Sequence, residues 1–137
     1  MAGAEAPMTR TTLDTTLGFE DLRLDEEGEA TARMPVIDAV RQPYGIVHGG
    51  AYASLAESLC SWATYQSVGP ELLALGQSND TTFLRPVSDG AIHARARARH
   101  RGRTSWVWVV EMSDEEGRLC ALSRLIIAVR PPPGSPN

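Results

Sequence analysis

The sequence predicts an α+β fold in which one long helix covers one face of an antiparallel sheet of five or six strands. Two observations lead to this class. One alanine-rich run, residues 51 to about 67, has no internal glycine or proline, and four later runs alternate with a period of two. The chain has 137 residues, 42% of them hydrophobic, which indicates one domain with an ordinary core. We expect a single domain over residues 1–137, with flexible tails at 1–12 and 131–137.

A β-hairpin and the helix form the first half of the chain. Two short runs, residues 17–25 and 29–36, alternate weakly on either side of a Glu-Glu-Gly turn sequence, as in a hairpin. The helix follows the cluster His48-Gly49-Gly50 and is stopped by the sequence Ser-Val-Gly-Pro at 67–70. Only one of its residues is charged, so most of its circumference is apolar. Because a sheet covers one side of a helix, we expect a second subunit to cover the rest.

Four strands form the second half of the chain. The alternating runs cover residues 73–85, 91–101, 105–112 and 118–130. The sequences Ser-Asp-Gly at 88–90 and Asp-Glu-Glu-Gly at 114–117 are typical hairpin turns, and Arg-Gly-Arg at 101–103 is a plausible third turn. An antiparallel sheet of this kind buries one face, and the helix is its natural cover.

Composition excludes several classes of protein. The 13 basic residues, all arginine, are outnumbered by 17 acidic residues, so the net charge of −4 argues against general binding of nucleic acid. No run approaches the roughly 20 apolar residues that span a bilayer, and the first ten residues lack the apolar core of a signal peptide. Cys60 and Cys120 lie in apolar runs as buried small hydrophobes, and no cluster has metal-ligand spacing. We expect a cytoplasmic protein with no metal, cofactor, membrane or nucleic-acid partner.

Glu57, the one charge of the helix, is the first candidate for chemistry. A carboxylate is rarely buried without a partner, because its transfer from water costs several kcal/mol. One interpretation places Glu57 at a helix edge, in water or paired with an arginine. The other places it beside an apolar pocket as a general base.

The glycines before the helix are the second candidate. Free amides at a helix N-terminus form an electrophilic site for a carbonyl oxygen, and Gly49 and Gly50 permit close approach of another molecule. The alternative is a simple entry turn, with His48 as a capping residue. Glu57 follows Gly49 by about 12 Å of helix, so one helix cannot apply both groups to one carbonyl. Two antiparallel copies of the helix across a two-fold axis would bring them together.

Several motifs together resemble one protein family. They are RQPYGIVHGGAY at 41–52, LAE at 55–57, GQSN at 76–79, FLRPV at 83–87, GRLCA at 117–121 and AVRP at 128–131. Over about residues 16–131 the chain resembles the hotdog-fold acyl-coenzyme A thioesterases, in particular the branch of 4-hydroxybenzoyl-coenzyme A and phenylacetate-pathway thioesterases. The resemblance implies a hotdog fold, in which an antiparallel sheet of five or six strands wraps one long central helix. It also implies dimers joined edge to edge and often paired into tetramers, and an acyl-coenzyme A substrate.

The resemblance also implies roles for residues at matching positions. Glu57 matches the catalytic carboxylate, and Gly49 matches the amide that polarises the thioester carbonyl. Gln42 and His48 match supporting positions near that carbonyl, and Ser61 matches a hydroxyl position one turn beyond Glu57. Contacts to the nucleotide part of coenzyme A are matched by Arg85, Arg103 and Thr104. Trp62 and Tyr65 are candidates for lining the acyl pocket, with core packing as the alternative.

The alternation of arginines between residues 95 and 103 has two interpretations. On one strand face they form either a solvated outer surface that resists aggregation or an attractive surface for phosphate. Trp106 and Trp108 alternate with valines and are expected to pack within the sheet or at an interface.

The favoured function is therefore hydrolysis of an acyl-coenzyme A thioester, with an aromatic acyl group. Glu57 of one subunit acts as nucleophile or general base, and the Gly49 amide of the other polarises the carbonyl. The alternatives are a non-catalytic acyl-coenzyme A sensor or accessory protein on the same fold, and a hydratase of enoyl thioesters.

Overall fold

Six antiparallel strands form one sheet that packs against a single long helix. The computed structural model describes residues 10–134. The elements are α1 (Leu13–Leu17), β1 (Glu20–Leu24), β2 (Ala30–Pro35), a 3₁₀ turn (Asp38–Val40), α2 (Gly49–Val68), β3 (Leu73–Phe83), β4 (Ala91–Arg101), β5 (Ser105–Ser113) and β6 (Leu119–Arg130). The strands lie side by side in the sheet in the order β1-β2-β4-β5-β6-β3. The predicted α+β class, the hairpin, the long helix and the four later strands are confirmed.

The long helix α2 is buried on the side that faces the sheet. Its buried residues recur every three to four positions, as the helical repeat requires, and are Ala51, Tyr52, Leu55, Ala56, Leu59, Cys60, Ala63 and Thr64. The remaining residues are at least partly exposed in the single chain, so the expected second cover is not supplied by the chain itself. The helix ends where Gly69, at φ +94°, donates its N–H to the Tyr65 carbonyl.

The strand β3 occupies an edge of the sheet. It pairs with β6 on one side, and no described strand pairs with its other side. The prediction that the turn at 88–90 joins β3 to β4 as a hairpin is therefore wrong. The chain crosses instead past the start of α2, where the Val87 carbonyl accepts the Val47 N–H. The Gly90 carbonyl then accepts the N–H of Val36, the residue after β2. Gly90 thus directly precedes a strand that pairs with β2, so the turn residues alone indicated the wrong partner strand.

The arginine-rich strand β4 changes faces near its end. Arg95 and Arg97 lie on the outer face, where both bond Glu29 of the β1–β2 turn. The pairing with β5 shifts between Ala98 and His100, so β4 has an irregularity at this point. Arg101 consequently stands opposite Trp106, with its guanidinium 5.5 Å from the centre of that ring. The expectation that all five arginines share one face is wrong because this bulge reverses the alternation.

The start of the described chain is more ordered than expected. Residues 1–9 and 135–137, most of the predicted tails, lie outside the described residues. Thr12, assigned to the first tail, instead caps α1 by accepting the Thr15 N–H. Asp14 in α1 then accepts a hydrogen bond of 2.7 Å from Ser58 of α2. A five-residue helix has too few apolar positions to be found by periodicity, which explains why it was missed.

The core contains one internal polar contact between helix and sheet. The Trp108 indole donates a hydrogen bond of 2.9 Å to the Thr64 hydroxyl, and both residues are fully buried. Trp106 packs beside it, with ring centres 6.0 Å apart. The expected packing of both tryptophans within the sheet is thus confirmed. No helix within residues 10–134 is long and apolar enough to cross a membrane.

Candidate active site

A cleft of about 460 Å³ opens at the N-terminus of α2. Gln42 and Arg85 contribute its polar side chains, and Tyr52 and Phe83 contribute aromatic walls. Gly49 lies at the base of this cleft, and its backbone touches the Phe83 ring so closely that an added Cβ would lie 2.8 Å from Phe83 Cζ. Glycine at this position therefore allows the ring to pack against the start of the helix.

The amides at this helix end differ in their availability. His48 is the N-cap, and its Nδ1 accepts the Gly50 N–H at 2.8 Å, so the ring carries its hydrogen on Nε2. The Ala51 N–H bonds the His48 carbonyl. The Gly49 N–H has no acceptor among residues 10–134, although it stands at the positive end of a 20-residue helix. A free amide in a cleft at this end can polarise a carbonyl oxygen or bind an oxyanion.

The Glu57 carboxylate lies on the side of α2 that faces the edge strand β3. Glu57 is exposed in the single chain and has no salt-bridge partner among the described residues, so in one chain the helix-edge interpretation holds and the one that places it beside an apolar pocket does not. The physical reason is that β3 ends the sheet among the described residues, and the short helix α1 beside it does not cover the carboxylate. Gly76 lies against the carboxylate, where an added Cβ would approach Cδ to 2.7 Å. Asn79 donates to Oε1 at 3.3 Å.

The two candidate groups open onto different clefts of the same chain. Glu57 borders a small cleft of about 180 Å³ between α1, α2 and β3, whose walls include Leu13, Ser54 and Asn79. Gly49 borders the larger cleft at the helix start. The helical rise separates them by about 12 Å, as the sequence spacing predicted. One chain therefore does not place both groups around one substrate atom.

The other predicted residues fall into three places. Gln42 and Arg85 share the Gly49 cleft. Ser61 and Tyr65 are partly buried on α2, while Trp62 lines a separate groove beside Leu22 of β1.

Arg103 and Thr104 form the exposed turn between β4 and β5. There the Thr104 carbonyl accepts the Val129 N–H from β6. Since the end of β6 pairs with the start of β3, this turn lies at the opposite end of the sheet from Arg85.

Two aromatic residues in the Gly49 cleft were not predicted from the sequence. Phe83 continues the inward-facing alternation of β3, which could have indicated its direction but not its contact with Gly49. Tyr52 is buried, and its hydroxyl has no hydrogen-bond partner among the described residues. Burial, followed by the neighbouring Cys120, raises the pKa of Tyr52 well above its usual range, so the phenol stays protonated.

The thiols are unsuited to nucleophilic chemistry. Both cysteines are fully buried, and burial together with nearby Glu57 raises the pKa of Cys60. A raised pKa keeps the thiol protonated, whereas the thiolate is the nucleophile. No group of His, Cys, Asp and Glu within residues 10–134 could hold a metal ion. The candidate groups for chemistry among the described residues are the Glu57 carboxylate and the Gly49 amide.

Comparison with known proteins gives one consistent family. Residues 44–121 match the thioesterase superfamily. The 1,4-dihydroxy-2-naphthoyl-CoA hydrolase of Escherichia coli (strain K12) is 37% identical over 115 residues, which make up 82% of this chain and 85% of that protein. The proofreading thioesterase EntH of Klebsiella pneumoniae is 40% identical over 118 residues, 86% of this chain and 85% of that protein.

The solved structures lead to the same family. The thioesterase HI1161 from Haemophilus influenzae superposes with a TM-score of 0.81 at 34% identity, covering 86% of this chain and 82% of that chain. None of these three proteins is named a hydroxybenzoyl or phenylacetate thioesterase. The similarity thus reaches the superfamily and does not single out that branch.

Proposed function

This chain belongs to the thioesterase superfamily, and we propose that it hydrolyses an aromatic acyl-coenzyme A thioester to the free acid and coenzyme A at a site shared by two subunits. The hotdog fold expected from the sequence is confirmed by the long helix, the six-stranded antiparallel sheet and the matching thioesterase structures. Two features support an aromatic acyl group. The Gly49 cleft has Tyr52 and Phe83 as walls, and the Escherichia coli relative is named for a naphthoyl substrate.

One observation carries the proposed site. A free amide and a carboxylate lie on the same helix in separate clefts, and both clefts border the edge strand β3. Phe83 touches Gly49 at one end of β3, and Asn79 and Gly76 touch Glu57 further back along the strand. The inward face of β3 thus follows α2 from its start to Glu57.

A two-fold axis through this edge would unite the clefts. If two β3 edges pair antiparallel about an axis near Thr81, residue 79 of one subunit stands opposite the partner's Phe83. Both helices then lie on the same face of a continuous sheet, and Glu57 approaches the partner's Gly49. Such an interface also pairs an edge strand that a single chain leaves open.

The chemistry follows from the two groups. The Gly49 N–H, aided by the helix dipole, stabilises the negative charge that develops on the thioester oxygen. Glu57 of the other subunit either attacks the carbonyl carbon, forming an anhydride that water then opens, or takes a proton from the attacking water. In both routes the carbon–sulfur bond breaks and the coenzyme A thiolate leaves. In the general-base route the new oxygen of the acid comes from water. In the anhydride route water attacks the Glu57 carboxyl carbon, so the acid takes its new oxygen from Glu57 and Glu57 takes a replacement oxygen from water.

The arginines supply charge for the coenzyme. Arg85 lies in the Gly49 cleft, and the Arg103–Thr104 turn lies at the other end of the sheet in the same chain. The proposed two-fold axis brings the turn of one subunit to the end of the assembly that holds the partner's Arg85. Guanidinium groups there can bind the phosphates of coenzyme A.

The direct test is hydrolysis by Glu57→Gln, which keeps the shape of the side chain and removes its charge. We expect kcat for aromatic acyl-coenzyme A esters to fall by about 100-fold or more, with the thermal midpoint of unfolding nearly unchanged because the residue is exposed. Glu71→Gln, another exposed glutamate outside both clefts, is the matched control and should keep full activity. Activity within a few-fold of wild type in Glu57→Gln would contradict the proposal.

Two further measurements define the substrate and the route. A panel of aromatic and straight-chain coenzyme A esters, followed by thiol release, should show higher kcat/KM for the aromatic esters. Binding of the whole panel without turnover would instead support an acyl-coenzyme A sensor. Single-turnover hydrolysis in ¹⁸O-labelled water should leave label in the Glu57 carboxylate for the anhydride route, and only in the product for the general-base route.

A further inference from the structure

Asn79 holds the Glu57 side chain through a three-way set of hydrogen bonds. Its Nδ2 donates to the Ala53 carbonyl at 2.9 Å and to Glu57 Oε1 at 3.3 Å. Its Oδ1 accepts from the Thr81 hydroxyl at 2.8 Å. Each polar atom of the amide is thus engaged. Asn79 ties the carboxylate to the backbone one helical turn earlier on α2.

The orientation of this amide is determined by its surroundings. The Ala53 carbonyl can only accept, so the atom that faces it must be the NH₂ group. Thr81 gives its hydroxyl hydrogen to Asn79, which means that the 2.7 Å contact between Thr81 and Ser123 is donated by Ser123. The chain of donors therefore runs from Ser123 to Thr81 to Asn79 and ends on Glu57. Ser123 is buried on β6, so this relay begins in the rigid interior.

The opposite wall of the carboxylate is the backbone of β3. Gly76 leaves room for Glu57 Cδ and Oε2, and the pairing of β3 with β6 is irregular between Gly76 and Ser78. The bulge places Gly76 and Asn79 on the same inward face although three positions separate them. Glu57 is therefore confined between a glycine and an amide that the same irregular strand supplies.

From this geometry we infer that Asn79 is a positioning residue for Glu57, with Thr81 and Ser123 as its support. The inference rests on the proposed function, in which Glu57 reacts. A hydrogen bond donated to a carboxylate favours its charged form and fixes the direction of the oxygen. Asn79 thereby holds one oxygen of the Glu57 carboxylate in a fixed direction, so that an exposed side chain is restricted to the conformation that reaction requires.

Three variants of the relay test this role, each measured by kcat, KM and the pH dependence of kcat. Asn79→Ala removes the donor and should lower kcat about 10-fold with KM within about twofold. Asn79→Asp replaces the donor with a second carboxylate and should move the acidic limb of the profile to higher pH. Thr81→Val keeps the volume but releases the Asn79 amide, and should lower kcat about threefold.

Neighbouring groups and a matched control complete the design. The other titratable groups around Glu57 are Asp14 of α1, which binds the adjacent Ser58, and Cys60 of α2; all three variants leave both unchanged. Thr82→Val makes the same substitution on the outward face of β3, opposite Leu122, and should behave as wild type. Circular dichroism and the thermal midpoint show which variants fold, and Thr81→Val serves if Asn79→Ala does not.

The outcomes separate the two proposals. Wild-type kcat and an unmoved pH profile in the Asn79 and Thr81 variants, beside an inactive Glu57→Gln, would overturn the positioning role and leave the proposed function intact. An active Glu57→Gln would overturn the proposed function and this inference with it. A fall in kcat confined to the relay variants, with the shifted limb in Asn79→Asp, supports the role.

Discussion

The two sides of α2 have opposite surroundings. On the side that faces the middle of the sheet, Leu55, Leu59 and Ala63 are buried, and Thr64 bonds Trp108. On the side toward the edge strand β3, the Glu57 carboxylate and the Gly49 amide stand beside open clefts.

The difference shows how one helix can serve both stability and chemistry. Burial of apolar area supplies most of the favourable free energy of folding. The buried side of α2 therefore determines how stably the helix packs against the sheet. Polar groups that the chain itself leaves unpaired remain available to a ligand or a second subunit. Substitutions on the buried side should therefore change the free energy of unfolding, and substitutions on the open side should change kcat.

Gly49→Pro should give the largest effect on the open side. Proline fits the first position of a helix, and the preceding His48 has the extended backbone that proline requires. The substitution removes the free N–H, which should lower kcat about 100-fold, the effect of losing one oxyanion donor. Steady-state hydrolysis of an aromatic acyl-coenzyme A ester measures this loss.

Gly49→Ala is the matched control for that variant. It introduces the same Cβ against Phe83 but retains the N–H. We expect it to lose much less activity than Gly49→Pro, since Phe83 Cζ is the far end of an exposed side chain and the ring can shift away from the added Cβ. Equal losses in the two variants would mean that Phe83 packing, and not the amide, explains the need for glycine.

Thr64→Val should give a smaller effect, on the buried side. The substitution leaves the Trp108 indole N–H without its acceptor, at a cost of about 1 to 2 kcal/mol in the free energy of unfolding. Activity per folded molecule should not change, because neither residue borders either cleft. Urea unfolding measures the loss, and Thr64→Ser, which keeps the hydroxyl, should lose less. A specific fall in kcat would break the separation between the two sides.

Asp114, in the turn between β5 and β6, should give the smallest effect and one that depends on pH. Hydrogen bonds from the backbone and side chain of Arg118 hold the pKa of this carboxyl below its usual range. A lowered pKa means that the charged form stabilises the fold above the unfolded pKa of about 3.9, and that this contribution is lost as the pH falls through the folded pKa.

Asp114→Asn keeps the oxygen that accepts the backbone N–H groups of Glu116 and Arg118, and removes the charge together with the oxygen that accepts the Arg118 side-chain N–H. Its thermal midpoint should lie below that of wild type at pH 7, and the two midpoints should converge as the pH is lowered below about 4. A difference that persists unchanged in acid would show that the turn is stabilised by its shape alone.

Local patterns predicted the elements of this fold better than their pairing. The helix and the four later strands were found because apolar periodicity is a property of neighbouring residues. The crossing from β3 to β4 was missed because Ser88-Asp89-Gly90 has the residues of a hairpin turn but pairs with β2 through Gly90. The bulge near Arg99 was also invisible, since only cross-strand pairing defines it.

The candidate site was predictable to a similar extent. Gly49 and Glu57 stood out because a free helix end and a lone charge in an apolar helix each need a physical reason. Asn79 did not, because its three partners lie on different elements and come together only in the folded chain. The choice between the two interpretations of Glu57 could not be made from the sequence, since its exposure depends on β3 being the edge of the sheet.

The most direct measurement of the shared site is complementation between two inactive subunits. Glu57→Gln and Gly49→Pro proteins with different tags are mixed, exchanged and checked for mixed dimers by native mass spectrometry. Each mixed dimer holds one intact pair, an unaltered Glu57 facing an unaltered Gly49, so a fully exchanged equal mixture should recover about a quarter of wild-type activity. Proven exchange without any recovery would contradict a site built from both subunits.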